Sequence, residues 1–161
     1  MCSSDLDCDI LFSETLDALL YRECYVPILC NMIPQLSDRA IVIPENVQIK
    51  MSFVRQDEKG QQTEDTPMVV FDSRETAKAS QEMAQLPDSF PPLKVPIDRN
   101  SNIKALVLDT EVHVYKGFKL FRDDSALTRP YALAVDPNVH FNHLVFTYHL
   151  KPQIELFTGT E

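Results

Sequence analysis

Three of the four histidines lie close together near the C-terminal end, at His140, His143 and His149. Imidazole nitrogens are common zinc ligands, but they must converge on one point about 2 Å from each nitrogen. The surrounding residues alternate as in a β-strand, so His140 and His143 would face opposite sides of a sheet. His143 and His149 would share a side but stand about 20 Å apart. The sequence therefore predicts no metal site and no cofactor.

Nucleophilic or acid–base catalysis is the second chemistry that the residue types allow. Cys8, Cys24 or Cys30 could in principle be activated by a histidine. However, no cysteine lies in a glycine-bearing turn, and no serine stands in a G-x-S-x-G sequence. The carboxylate pairs at 64–65 and 123–124 fall in polar segments typical of solvated turns. We therefore predict that the chain is not an enzyme, with a small cysteine- or metal-dependent hydrolase as an alternative.

One short segment alternates aromatic and basic side chains, which is a pattern that can stack bases and neutralise phosphates. Its members are Tyr115, Lys116, Phe118, Lys119 and Arg122. On the face of a barrel they would make an oligonucleotide-binding (OB-like) domain for single-stranded nucleic acid. The net charge of −9 opposes this function, because phosphate contacts depend on clustered Lys and Arg. Nucleic-acid binding is therefore a second alternative.

The elements that would position these side chains are mainly strands. Residues 103–157 are rich in β-branched and aromatic types, and apolar residues recur there at every second position. Within this stretch, the polar residues 109–111 predict a tight turn. Gly117, which interrupts a strand pattern, predicts a bulge or a close backbone approach.

The preceding third of the chain continues the sheet. Residues 47–53 alternate between apolar and polar, and 68–71 form another short apolar run. Asp72 followed by Glu75 is typical of a capping box, so a short helix should begin there. The proline-rich segment 87–96 should be extended and cross between two halves of the sheet.

These elements define a mainly β (α+β) fold. Strands cluster without regular helices between them, which favours an antiparallel arrangement over a doubly wound one. We predict an antiparallel β-sandwich or a partly open β-barrel of about seven to eight short strands, with an N-terminal helix packed on it.

That N-terminal helix should begin at Ser13, and its apolar residues fall at helical spacing. Two roles are open for the stripe: packing on the sheet, or docking on a partner protein. In the second case the leucines would be anchors and the carboxylates would select a basic partner surface. The predicted partner-binding residues are Leu16, Leu19, Leu20, Asp17 and Glu23.

Chain length and composition predict a flexible acidic N-terminus, residues 1–12, and a single globular β-rich domain, residues 13–161. No stretch approaches the roughly 20 apolar residues of a membrane span, and no secretion signal is evident. The cysteines should therefore be reduced thiols in the cytoplasm or nucleus, with Cys24 and Cys30 in the core.

The function that we predict is a noncatalytic protein–protein interaction module, an adaptor or subunit of an intracellular multiprotein complex. The expected partner is another protein, bound through a basic or apolar surface, in a hetero-oligomer and without a membrane. An exposed stripe or an unpaired sheet edge of this chain could be completed by that partner through helix docking or strand addition.

Overall fold

The structure, a computed structural model, describes residues 9–37, 39–83, 85–97, 102–136, 142–151 and 153–160. In these ranges there are two α-helices, α1 (Tyr25–Met32) and α2 (Ser73–Ser80), and three short 3₁₀ turns, Ala18–Leu20, Ile33–Gln35 and Ala126–Thr128. The strands are β1 (Ile10–Phe12), β2 (Ile41–Ile43), β3 (Asn46–Gln56), β4 (Gln62–Glu64), β5 (Met68–Asp72), β6 (Leu93–Pro96), β7 (Ile103–Tyr115), β8 (Phe118–Leu120), β9 (Tyr131–Ala134), β10 (His143–His149) and β11 (Glu155–Thr160).

Two long antiparallel strands, β3 and β7, form the centre of the larger sheet. β5 and β4 lie beside β3, and β9 and β8 lie beside β7. A second antiparallel sheet has the order β11-β10-β6. β1 and β2 form a separate parallel pair. The described strands do not close into a barrel, and the arrangement is an α+β sandwich.

The core contains one face of each sheet. Val47, Ile49 and Met51 of β3 are almost fully buried, as are Phe146 and Tyr148 of β10. The rings of Phe71 and Tyr148 stack with centroids 4.4 Å apart. Fully burying a side chain of this size stabilises the fold by about 1.5–3 kcal/mol. The alternation predicted for residues 47–53 is therefore confirmed, and so is the mainly β sandwich.

The second helix begins where the sequence predicts. The Asp72 carboxylate accepts hydrogen bonds from the backbone N–H groups of Arg74 and Glu75, which satisfies two donors of the first turn of α2. Residues 93–96 of the predicted crossover form β6, which pairs with β10 in the smaller sheet.

The predicted helix from Ser13 is wrong. The chain forms β1, then a 3₁₀ turn at Ala18–Leu20, and α1 begins only at Tyr25. Leu19, Leu20 and Arg22 have positive φ angles of 57°, 55° and 72°, which no right-handed helix contains. Two tertiary hydrogen bonds hold this turn: the backbone N–H of Leu19 donates to Thr110 Oγ1, and the Tyr148 hydroxyl donates to the Leu20 carbonyl.

Three smaller predictions are also corrected. Residues 109–111 are not a turn but the buried middle of β7, because Lys50 on β3 and Arg122 after β8 neutralise the two carboxylates. Gly117 lies in the two-residue β7–β8 turn, where Lys116 and Gly117 both have positive φ, as a type I′ turn requires. Cys30 is buried as predicted, but Cys24 is exposed; both are free thiols.

The predicted flexible segment 1–12 is described only in part: residues 1–8 lie outside the described residues, and Ile10–Phe12 form β1. The two α-helices have eight residues each. Across the described ranges, no helix is long and apolar enough to cross a membrane.

Candidate functional site

The outer face of the larger sheet has a charged cluster: Lys50, Glu64, Asp109, Glu111, His113, Lys119 and Arg122. Alternation places Lys50 of β3 and Glu111 of β7 on this face, and Lys50 Nζ donates a hydrogen bond to Glu111. Glu111 also accepts from Lys119 Nζ at 3.2 Å and lies 2.7 Å from His113 Nε2. Three side chains therefore converge on one carboxylate, whose side chain is 9% exposed.

Arg122 forms the other half of the charged cluster. Its Nε donates to Asp109 Oδ1 at 2.7 Å, and its Nη1 donates to Glu64 Oε2 at 2.8 Å. Its Nη2 donates to both carboxylates as well. Ser52 Oγ donates to Glu64 Oε1 at 2.6 Å. Arg122 thus connects the segment after β8 with β4 and β7.

Two carboxylates of the charged cluster, Glu64 and Glu111, have a lowered pKa and stay ionised near neutral pH. Hydrogen bonds from Arg122 lower the pKa of Glu64 to about 2. Burial raises the pKa of Glu111, but hydrogen bonds from Lys50, His113 and Lys119 outweigh it and bring the pKa to about 2. The hydrogen bonds of Arg122 to Glu64 and Asp109 raise the pKa of its guanidinium. A pocket of about 650 Å³ adjoins these groups. An acid with such a pKa cannot act as a general acid near neutral pH.

The charged cluster should make stability depend on pH in the acid range. The pKa of Glu64 and Glu111 is about 4.5 in the unfolded chain and about 2 in the folded one. The folded state is therefore favoured by their ionisation above pH 4.5, and this contribution is lost as the pH falls towards 2. We expect a loss of about 3 kcal/mol for the two groups, less than full linkage because the Glu64 side chain is 32% exposed. Urea unfolding between pH 6 and pH 2 measures it.

The Glu111→Gln variant is the control for this effect, because glutamine does not titrate. The free energy of unfolding should be lower for the variant at pH 6, and the difference from the wild type should fall by more than half at pH 3. A difference that stays constant between these two pH values would contradict the assignment of the pKa to Glu111.

A second concave feature, the β9–β11 groove, lies where an edge of each sheet is open. It has a volume of about 700 Å³. Among the described strands, β9 pairs only with β7, and β11 pairs only with β10. Tyr131 and Phe157 line the groove and are 55% and 49% exposed, while Leu108 lies at its base in the core. Its polar lining includes Asp17, Arg129 and Glu155.

The structure brings only some of the predicted partner-binding residues to this groove. Asp17 and Leu19 line it. Leu16 is half-buried against the core, Leu20 is 0% exposed, and Glu23 is exposed outside the groove lining. Asp17 also accepts a hydrogen bond from the backbone N–H of Ala18 at 2.7 Å. The five residues therefore do not form one surface.

The residues predicted for nucleic-acid binding are also divided between two places on the surface. Tyr115 and Phe118 are paired at the β7–β8 turn, Phe118 is 77% exposed, and Lys116 Nζ lies 5.0 Å from the Tyr115 ring centroid. Lys119 and Arg122 belong to the charged cluster, where carboxylates already neutralise them. Two of the three cations are thus not free for phosphates.

Sequence reasoning missed most of the residues that shape these sites. The sequence predicts turns at Glu64 and at residues 109–111, although the alternation of residues 47–53 places Lys50, which lies across the sheet from residues 109–111, on the polar side of a strand. Tyr131 and Phe157 fit strand patterns and gave no sign of being exposed. The alternation of charges at Asp109, Glu111 and His113, two residues apart, was the available signal for a charged strand face.

The histidine prediction is only partly covered, since His140 lies outside the described residues. The His149 ring makes an edge contact with Phe157, at 5.8 Å between centroids. Within the ranges that the structure describes, no group of three or more His, Cys, Asp or Glu side chains is arranged to hold a metal ion.

No protein-family model matches the chain, and no curated protein matches its sequence.

Proposed function

We propose that the chain is a noncatalytic protein-binding module, an adaptor or subunit of an intracellular complex, and that it binds its partner in the β9–β11 groove. The observation that carries the proposal is the pair of exposed aromatic side chains, Tyr131 and Phe157, in a groove between two sheet edges. Interfaces are enriched in aromatic residues at their centres, where such side chains contribute most of the binding energy.

The strand edges support an extended partner segment. β9 and β11 each have one neighbour in the described sheets, so the outer edge of either strand can pair with an added strand. In strand addition, main-chain hydrogen bonds give affinity and pockets for alternate side chains give specificity. Leu133 and Leu156, which are half-buried in the groove, would contact apolar side chains of that segment.

The charged cluster gives a reason to prefer this function to the two alternatives. Lys119 and Arg122 are engaged with carboxylates, so binding a nucleic acid there would require breaking these ion pairs. For a hydrolase, Glu64 and Glu111 are held ionised by their partners and are poorly suited to donate a proton near neutral pH.

The proposal predicts a cross-link at one position and not at another. With a photo-cross-linking amino acid in place of Tyr131, we expect a specific covalent adduct with one protein in cells that make this chain. The same amino acid at Phe118, which is more exposed but lies outside the groove lining, should give no such adduct. Mass spectrometry of the adducts identifies the partner.

A Tyr131→Ser/Phe157→Ser variant, whose folding is checked by circular dichroism, should bind that partner at least about tenfold more weakly, since each aromatic hot-spot residue contributes about 2 kcal/mol or more. The matched Phe118→Ser variant should bind normally. Equal adducts from both positions, or a partner that the groove variant retains at full affinity, would refute the proposed site. A bound nucleic acid instead of a protein would favour the OB-like alternative.

A further inference from the structure

The Arg74 guanidinium, at the start of α2, forms no ion pair with any residue that the structure describes. Nη1 of Arg74 is buried and has no hydrogen-bond partner among the described residues. Burying a charged donor without a partner is costly, and a buried unsatisfied group in a folded protein calls for a physical explanation. Two other arginines, by contrast, have carboxylate partners: Arg55 pairs with Asp65, and Arg122 pairs with Asp109 and Glu64.

The backbone of Arg74 is firmly held. Its N–H donates to Asp72 Oδ1 and to Asn46 Oδ1, both at 3.0 Å, at the start of α2. Asp72 is occupied by these helix N–H groups and by the side-chain amides of Asn46 and Gln48. Its carboxylate therefore accepts hydrogen bonds from four donors, and the Arg74 guanidinium is not one of them.

The guanidinium lies beside the core at Tyr25. Burial raises the pKa of the Tyr25 hydroxyl to about 12, while hydrogen bonding from Ser73 and the nearby charge of Arg74 act in the opposite direction. Tyr25 is 0% exposed. Because Nη1 is itself buried, part of the guanidinium is desolvated, which strengthens any ionic contact that it makes.

Arg74 also lines a small pocket, the Arg74 pocket, of about 350 Å³. Besides Arg74, its lining residues are Ala40, Ile41, Val42, Glu45 and Tyr115. The volume is at the small end of the range for ligand sites, about 300–1,000 Å³. It suits a single anionic group better than a large apolar ligand.

Charges around the Arg74 pocket favour an anion. The one carboxylate in its wall, Glu45, accepts a hydrogen bond through Oε1 from the backbone N–H of Lys116 at 3.0 Å. A second cation, the ammonium group of Lys116, lies 5.0 Å from the centroid of the Tyr115 ring, which belongs to the same lining. The two cations Arg74 and Lys116 thus outnumber the one carboxylate of the lining, although the chain as a whole has a net charge of −9.

We propose that the Arg74 pocket binds a small oxyanion, a phosphate or carboxylate group that accepts hydrogen bonds from the Arg74 guanidinium. The planar fork of arginine matches both groups, and such charge-assisted pairs are stronger than neutral hydrogen bonds. The site shares no lining residue with the β9–β11 groove, so it goes beyond the proposed protein-binding function and does not depend on it.

The test is isothermal titration of the purified full chain with inorganic phosphate, and separately with acetate, at constant ionic strength. We expect saturable binding to the wild type. Arg74→Gln should weaken it at least about tenfold, because a hydrogen bond to a charged group contributes about 1.5–3 kcal/mol. Lys78→Gln removes the same charge from an exposed position on the same helix and should leave binding unchanged.

A second variant changes the affinity in the opposite direction. Glu45→Gln keeps an oxygen for the Lys116 N–H but removes the negative charge from the pocket, so it should bind the anion more tightly. Binding of phosphate but not acetate identifies a phosphate site, and binding of both identifies a general oxyanion site.

Thermal unfolding provides a check that tolerates an unstable variant. Phosphate should raise the melting temperature of the wild type and of Glu45→Gln, but not that of Arg74→Gln, because only a protein that binds the anion is stabilised by it. The proposal is overturned if neither anion binds the wild type, if Arg74→Gln binds as well as the wild type, or if Glu45→Gln binds more weakly.

Discussion

Replacing Arg122 with methionine should lower the free energy of unfolding by about 2–3 kcal/mol. Methionine keeps an unbranched apolar stem and removes the guanidinium, so Asp109 loses its ion-pair partner. The Asp109 side chain is only 10% exposed, and leaving a buried charge unpaired usually costs 3–5 kcal/mol. We expect the smaller loss because the Arg122 side chain is itself 34% exposed, which lets water solvate the carboxylates that remain. Urea denaturation at pH 7 measures the difference.

Arg55 provides a matched control, since its side chain has the same exposure. It pairs with Asp65 at 2.8 Å, and the two side chains are 34% and 37% exposed. Because both partners of this pair are hydrated, Arg55→Met should cost only about 0–1 kcal/mol. If the two variants lost the same stability, the burial of Asp109 would not be what makes Arg122 important, and the charged cluster would be an ordinary surface network.

The charged cluster shows where sequence reasoning stopped. Residues 109–111 are polar, and a polar break in a strand pattern normally predicts a turn. In the structure the strand continues through these residues, because two cations pair with their carboxylates. Lys50 on the neighbouring strand β3 pairs with Glu111, and Arg122, which follows β8, pairs with Asp109. These contacts join residues 61 and 13 positions apart. The alternation of Asp109, Glu111 and His113 indicates a charged strand face, but a local pattern contains no information about such distant partners, so the burial of these residues could not be predicted.

Alternation and helix capping, by contrast, depend on residues close in sequence, and the predictions that rest on them are confirmed. Val47, Ile49 and Met51 could be assigned to one buried face from their spacing alone. Asp72 could be assigned as a helix cap because its partners are two and three residues away. The sandwich followed from these assignments, whereas most of the candidate site did not. The β9–β11 groove is formed by edges of two different sheets, and no single segment reveals that Tyr131 and Phe157 meet there.

The helix prediction for the N-terminal segment is wrong for a different reason. Its leucines do recur at helical spacing, but propensity is a weak constraint that tertiary contacts override. Leu19 and Leu20 adopt the left-handed region, at a cost of about 1–2 kcal/mol per residue. Hydrogen bonds to Thr110 and from Tyr148, together with complete burial of the Leu20 side chain, offset that cost. The stripe is thus divided between the core and the groove.

Leu20→Ala should therefore destabilise the protein by about 3–4 kcal/mol, more than any other single truncation in the predicted stripe. Leu20 is 0% exposed, and its removal leaves a cavity beside Tyr148, whose hydroxyl donates to the Leu20 carbonyl at 3.0 Å. Alanine retains a Cβ, so the strain of the left-handed backbone is unchanged and the loss reports on the side chain. Leu16→Ala, at a half-buried position of the same stripe, should cost about 1 kcal/mol.

Urea unfolding and partner cross-linking, measured on both variants, separate a core role from a binding role. Leu20 should affect stability alone: at temperatures where the variant is still folded, cross-linking from position 131 should be as efficient as in the wild type. A Leu20→Ala protein of normal stability that had lost its partner would mean that this leucine leaves the core to bind, as the sequence pattern first suggested. Leu20 is fully buried, whereas Leu19 lines the groove. We therefore expect Leu19→Ala, and not Leu20→Ala, to lower the affinity for the partner.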